Sequence, residues 1–428
     1  MVEDTETQRD PLRKNLGSEF RKLWAATAIS NLGDGVALRA APLLAASLTR
    51  DPGLVAGLSV AQRLPWLLFP LLSGALVDRL DRRRAMAAAA AVRGALIGLL
   101  GIAVLLEQAS LPLLYAVFFL LSTGETVFDV AAAALLPAVV PRETLPKSNA
   151  RLAGTLTVTN QFVGPPLGGF LFATAAALPF LLGAGGLAAA AALIMALRGT
   201  FTVPRRARVE GAVRTSLRAE VAEGIRWLWR HPLLRTISLA MAILNLTLVA
   251  QVSVMVLFAQ ERLGLGPTGY GILVSMYGIG GVLGGLVAHL VIARLGASRT
   301  LRAAMVVEAA TPAVLALLTN PLLAGTVLCF FGTHAAVWGA LLRSLRQELT
   351  PARLRGRVES AYWLLTDGTA APGAVLGGIL AAGIGLTAPF WLGAAIGALL
   401  IPLVWSTFSE ATVARVRADI GDDCAVEQ

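Results

Sequence analysis

Ionisable side chains stand inside long apolar stretches of this chain, where each is costly and so marks a ligand site, a proton relay or a bridge between helices. Asp34 lies in the middle of the first such stretch, in Ser30-Asn-Leu-Gly-Asp-Gly, and Arg63 sits at similar depth in the second. Two readings compete for them. They form a mutually neutralising pair that ties two helices together, or Asp34 is a proton acceptor that trades Arg63 for a proton. Glu125 precedes Asp129 by four residues, so both carboxylates share one face of a helix. Glu125 is the candidate for coupling or cation binding. In the second half of the chain the candidates are Asp367, in Thr366-Asp-Gly, and His334, whose imidazole type titrates near neutral pH. A lone histidine in an apolar stretch is otherwise a satisfied core residue, and Glu308 reads as a packing or latch residue. Arg39, Arg63 and Arg93 would be clamps if the ligand were an anion.

The stretches that carry these groups are long. The chain of 428 residues is 56% hydrophobic and 14% charged, with mean hydropathy +0.71. A soluble globular domain has about 45–50% apolar and about 25% charged residues. Runs of this kind are membrane spans, and about twelve are expected. They lie at 22–48, 53–77, 85–106, 111–139, 149–175 and 178–198, then at 234–260, 268–293, 300–319, 321–346, 357–384 and 387–408.

Loop charges orient them. One side receives Arg13, Lys14, Arg21 and Lys22, the cluster Arg79 to Arg84, then Arg142, Lys147 and Arg151, the whole 198–235 stretch, Arg294 to Arg302, and Arg343 to Arg357. The other side receives only Arg50 and Arg262. Lys and Arg concentrate on the cytoplasmic side, so both termini are expected there. The same bias accounts for the net charge of +10, and a nucleic-acid partner is not expected. The polar start of the chain has no short apolar segment of a cleaved signal peptide, and the two cysteines, Cys329 and Cys424, suggest no disulfide framework.

Between the second and third spans lies Gly74-Ala-Leu-Val-Asp-Arg-Leu-Asp-Arg-Arg-Arg. Gly-x-x-x-Asp-Arg-x-x-Arg-Arg in this place resembles the loop signature of the major facilitator superfamily, with Gly74, Asp78, Arg79, Arg82 and Arg83 on its positions and Asp81 where the family has glycine. The resemblance implies an all-α membrane protein whose twelve helices form two pseudo-symmetric six-helix halves. The chain divides accordingly into an N-terminal tail (1–21), a first half (22–198), a linker (199–233), a second half (234–408) and a C-terminal tail (409–428). The halves echo each other at an offset of about 210 residues, as repeats of one unit do. Leu167-Gly-Gly-Phe-Leu answers Leu376-Gly-Gly-Ile-Leu, and Gly285-x-x-x-His289 is a decayed copy of the signature. In the linker, Leu217, Val221, Ile225 and Leu228 fall at helical spacing beside Arg, Glu, Trp227 and Trp229, which predicts an amphipathic helix at the membrane surface.

The signature is expected to act as a gate. Asp78 would approach the start of the eleventh span, near Gly356 to Glu359, where helix N–H groups favour an anion, and Arg82 would reach Asp129, as the resemblance implies. The bland alternative is that these arginines only set topology. In the fifth span, Gly164-Pro165-Pro166-Leu-Gly168-Gly169 resembles the core of the signature found in the family's antiporters, with Asn160 and Arg151 standing where glycines are expected upstream; otherwise these residues only pack and kink the span. Gly278 to Gly285 reads as a helix-packing face. Neither a phosphate-binding loop nor a zinc or serine-hydrolase motif is present in the sequence, so no enzyme activity, metal or cofactor is expected. The pattern looks most like the branch of macrolide efflux pumps and the enterobactin exporter. It implies a monomeric transporter of the inner membrane that expels a hydrophobic, cationic small molecule in exchange for protons. Export of an anionic natural product, or lipid flipping without proton coupling, remain as rivals.

Overall fold

The structure, a computed structural model, describes residues 17–69, 77, 80–198, 217–351 and 353–411, and every regular element among them is helical. The first half comprises α1 (Ser18–Leu48), α2 (Pro52–Leu68), α3 (Arg82–Leu105), α4 (Leu111–Val139), α5 (Leu145–Leu156), a π-helical stretch Thr157–Val163, α6 (Gly164–Thr174) and α7 (Leu178–Met195). After α8 (Leu217–Arg230) come α9 (Pro232–Leu257), a second π-helical stretch Phe258–Arg262, α10 (Pro267–Leu317), α11 (Pro321–Leu349), α12 (Arg355–Asp367), α13 (Ala370–Gly383) and α14 (Ala388–Trp405). Gly74, Asp78, Arg79 and Cys424 lie outside the described residues.

Eight helical segments among the described residues are long and apolar enough to cross a membrane by length and composition. The count expected from sequence is reached because α10 holds two spans. The two helices meet in a kink at Gly296 (φ 76°, ψ 164°), a backbone state that suits glycine alone, and this tight turn takes the place of the loop expected at 294–299. α1, α2 and the composite α5–α6 supply the others. Several starts are written locally. Asp51 accepts hydrogen bonds from the N–H groups of Gly53 and Leu54 ahead of α2, and Asn320 does the same for Leu322 and Leu323 ahead of α11, with a proline at the first helical position in both.

The fifth and eleventh spans are both broken, in keeping with the repeat. Pro165 and Pro166 remove two backbone donors, and the chain widens into the π-helical stretch directly before them. The eleventh span parts at Gly368 and Thr369, between α12 and α13.

Buried apolar residues fall into a pattern that describes the overall shape. One cluster at the end bearing Arg50 and Arg262 draws on both halves, from Leu43, Leu58 and Phe118 to Leu257, Phe258, Tyr270 and Phe390. At the opposite, arginine-rich end each half has its own cluster, around Phe20, Met86 and Leu135 in the first and Leu234, Met305 and Leu345 in the second. Polar contacts agree. Arg50 reaches across to Gln260 at 3.0 Å and Glu261 at 3.8 Å, while at the arginine-rich end the ion pairs Lys22–Glu19 and Arg346–Glu359 each stay within one half. Among the described residues, the core joins the two halves at one end, and each half keeps a separate core at the other.

Candidate functional site

Asp34 is buried in the middle of α1, and its Oδ1 meets Nη2 of the fully buried Arg93 on α3 at 2.7 Å. The pairing expected with Arg63 is therefore not the one made. Arg93 comes to Asp34 because α4 yields room for it. A Cβ at Gly124 would stand 2.8 Å from Cγ of Arg93, so only glycine lets the arginine stem cross α4. The Phe128 ring faces the guanidinium at 5.5 Å, a favourable cation–π arrangement, and the Ser30 hydroxyl reaches Asp34 Oδ2 at 3.5 Å.

Glu125, half-buried, and Asp129, exposed, come from the same face of α4 and lie within electrostatic reach of Arg93. One guanidinium thus serves three carboxylates. Arg93 does not stand free as an anion clamp; Asp34 neutralises it. Arg63 is exposed and lies within electrostatic reach of Glu125 in its own half and of Asp367 in the other. Electrostatic reach thus links Asp34, Glu125 and Asp129 through Arg93 in the first half, and Glu125 to Asp367 of the second through Arg63.

His334 is not in that group, and it is not solitary. Its Nε2 lies 3.2 Å from Oε1 of Glu308, and its ring is flanked by Phe331 and Trp338. In the sequence the two residues stand apart, 26 positions from each other; the fold of α10 beside α11 joins them. Gly280 and Gly284 make that approach possible, since side chains there would collide with the carbonyls of Cys329 and Thr333. The Gly278–Gly285 stretch is the packing face it was read to be.

At the arginine-rich end Arg82 does not reach Asp129. It donates to the carbonyl of Ala134 at 2.9 Å, and Arg83 donates to the carbonyl of Leu197 at 2.7 Å. Both tie α3 to its own half. The start of the eleventh span, expected as the counterpart of Asp78 (which lies outside the described residues), carries α8. Gly224 lies against the carbonyl of Arg357, Glu223 pairs with Arg357, and Leu228 is buried with Leu354, Val358 and Tyr362. The amphipathic helix expected at the membrane surface is docked on α12.

The glycines of the fifth span have two jobs. Gly164 and Gly168 pack against α1, at Gly35 and the carbonyl of Val36, while Gly169 meets Pro267 of α10 across the two halves. Their counterparts repeat the division: Gly377 packs on the Ala250 carbonyl of its own half, and Gly378 crosses to Ala56 of α2, where a Cβ would come within 2.9 Å. Pro165 supplies its carbonyl to the close approach of Gly271.

A family model described as transmembrane secretion effector matches residues 7–418. The chain belongs to this family of the major facilitator superfamily. Among curated relatives, the multidrug efflux pump Tap of Mycolicibacterium fortuitum is 28% identical over 418 residues, covering 90% of this chain and 93% of the relative. Among solved structures, a mutant of the nucleoside transporter NupG superposes with a TM-score of 0.72 at 12% identity, over 92% of this chain and 100% of that one. A bacterial homologue of the iron transporter ferroportin matches at 18% identity in its inward-facing state, with a TM-score of 0.70 over 93% of this chain and 100% of that one. Its outward-facing state gives 0.58 over 91% and 100%. The protein is a membrane transporter of the major facilitator fold and not an enzyme.

Proposed function

We propose that the protein exports a hydrophobic, cationic small molecule in exchange for protons, by alternating access between two rocking halves. The observation that carries this reading is the group of three carboxylates, Asp34, Glu125 and Asp129, within electrostatic reach of the buried guanidinium of Arg93. Inside a membrane protein an uncompensated charge is expensive, so such a site calls for positive charge from outside itself. A proton on Glu125 supplies part of it, and so does a cationic substrate seated on the same carboxylate. Because both would claim Glu125, they exclude one another there, and exclusion of two ligands from one group is the basis of exchange.

Geometry supports the direction. The arginine-rich end is cytoplasmic by the positive-inside rule, with both termini on that side of the inner membrane. The halves are apart at that end, so this is the inward-facing state and the site receives substrate from the cytoplasm. The better fit to the inward-facing than to the outward-facing ferroportin homologue agrees. The crossing glycines, Gly169 and Gly378, hold the opposite end closed, and the reverse rocking would separate them. Asp78, Arg79 and Gly74 are then the parts of a gate made in the other state, with Arg82 and Arg83 leaving their present carbonyl partners or steadying α3. The halves of one chain complete the pathway, so a monomer suffices. Similarity to a multidrug efflux pump favours export over lipid flipping.

The test is proton release. Tetraphenylphosphonium added to purified protein in weakly buffered detergent solution should release protons from wild type, seen with a pH indicator dye, and release none from Glu125→Gln. Binding without proton release in wild type would sink the exchange.

A further inference from the structure

Resting on the export reading, a second set of polar groups defines the substrate more closely. Arg39 stands five residues beyond Asp34, about 7.5 Å further along α1 towards the closed end. Its Nε is buried and has no hydrogen-bond partner among the described residues, and the same holds for Nε2 of Gln62 on α2. Arg63 follows Gln62 and is exposed. The charges of Arg39 and Arg63 act on each other, and the phenol of Tyr270, a buried residue of the second half, is within electrostatic reach of Arg39. No carboxylate of the described residues lies within ion-pair distance of Arg39 or Arg63, the carboxylates nearest in effect, Glu125 and Asp367, acting on Arg63 from further off.

These groups are donors with no acceptors to match. An unmet buried donor costs about 1–3 kcal/mol. Water would meet the N–H groups but leave two like charges side by side. An oxyanion meets both needs, since a carboxylate, sulfonate or phosphate accepts charge-assisted hydrogen bonds from guanidinium groups. Arg93 also has buried N–H groups without hydrogen-bond partners among the described residues, but its charge is met by Asp34 at 2.7 Å.

We propose that the transported molecule carries an oxyanion that seats on Arg39, Gln62 and Arg63, while its cationic end faces Glu125 and Asp129. The substrate class is then a zwitterionic amphiphile.

Rhodamine 110 and its methyl ester rhodamine 123 share one cationic ring system and differ in a free carboxylate. Binding of each to the full-length protein is measured by fluorescence anisotropy, in phosphate-free buffer and phosphatidylcholine nanodiscs. Wild type should bind rhodamine 110 about tenfold or more tighter than the ester. That preference should fall to about one in R39Q and R63Q and persist in R39K, which keeps the charge. E125Q should weaken both dyes while retaining the preference. Equal binding of the two dyes by wild type, or a preference that survives in R39Q and R63Q, overturns the oxyanion seat and leaves the export reading standing. Binding of neither dye overturns both. Loss of the preference when phosphatidylglycerol is added assigns the seat to a lipid headgroup and overturns the substrate proposal.

Discussion

Removing Arg93 should cost more than removing the charge of Asp34, although the two form one ion pair. Breaking a buried pair by deleting one partner typically costs about 3–5 kcal/mol. Arg93→Gln meets that figure in full, because it leaves Asp34 buried without its partner and only the exposed Arg63 within electrostatic reach of Glu125. Asp34→Asn leaves the guanidinium with Glu125 and Asp129 still in electrostatic reach, so about half the cost is expected, roughly 1–3 kcal/mol. With about 2–4 °C lost per kcal/mol for a unit the size of one half, the apparent melting midpoint should fall by on the order of 10 °C in Arg93→Gln and about half as much in Asp34→Asn. The double variant should sit near Arg93→Gln, not at the sum, because the two residues share one interaction. Tryptophan fluorescence during heating in detergent reads all three. Equal losses in the two single variants would show that Arg93 serves Asp34 alone and refute the three-carboxylate site, and additive loss in the double would show that the two residues share no interaction at all.

Other expectations follow from single positions. Gly124→Ala places a methyl group 2.8 Å from Arg93 Cγ and should cost about 1–3 kcal/mol by overpacking, with substrate binding weakened in parallel, as isothermal titration would detect. Gly169→Leu should force apart α6 and α10 and populate the state open at the other end, measured as a longer spin–spin distance between labels on Thr49→Cys and Leu265→Cys. Gly224→Leu should undock α8 from α12, seen as faster hydrogen exchange in residues 222–230. Glu19, outside the membrane, accepts hydrogen bonds from Lys22 at 2.9 Å and from the N–H of Arg198 at 2.8 Å, and these hold its carboxyl below the usual glutamate range, the Lys22 bond first. A depressed value means the contribution is present above the ordinary glutamate pKa and is lost as pH falls through the folded one. Glu19→Gln should therefore flatten the fall of the melting midpoint on acidification.

Much of the architecture is legible from composition and punctuation. Apolar runs of span length, arginines confined to alternate loops, and the Leu-Gly-Gly repeat at 167–169 and 376–378 suffice to give twelve helices in two related halves. The site was legible as a set of residue types but not as a set of partners. Asp34 could pair with any arginine at similar depth, and its choice of Arg93 over Arg63 follows from the missing side chain at Gly124, a fact about how α3 crosses α4. The His334–Glu308 contact likewise depends on the glycine face of α10 against α11. The docking of α8 on α12 was hidden for another reason: an amphipathic pattern records that one face is buried, not whether lipid or protein buries it.

The most direct test of the account is transport into inverted membrane vesicles. Tetraphenylphosphonium uptake should rise when the lumen is made acidic, collapse when the gradient is dissipated, and be lost in Glu125→Gln and Asp34→Asn while the protein stays folded. Uptake indifferent to the gradient and to both substitutions would contradict proton exchange at the Asp34, Glu125, Asp129 and Arg93 site.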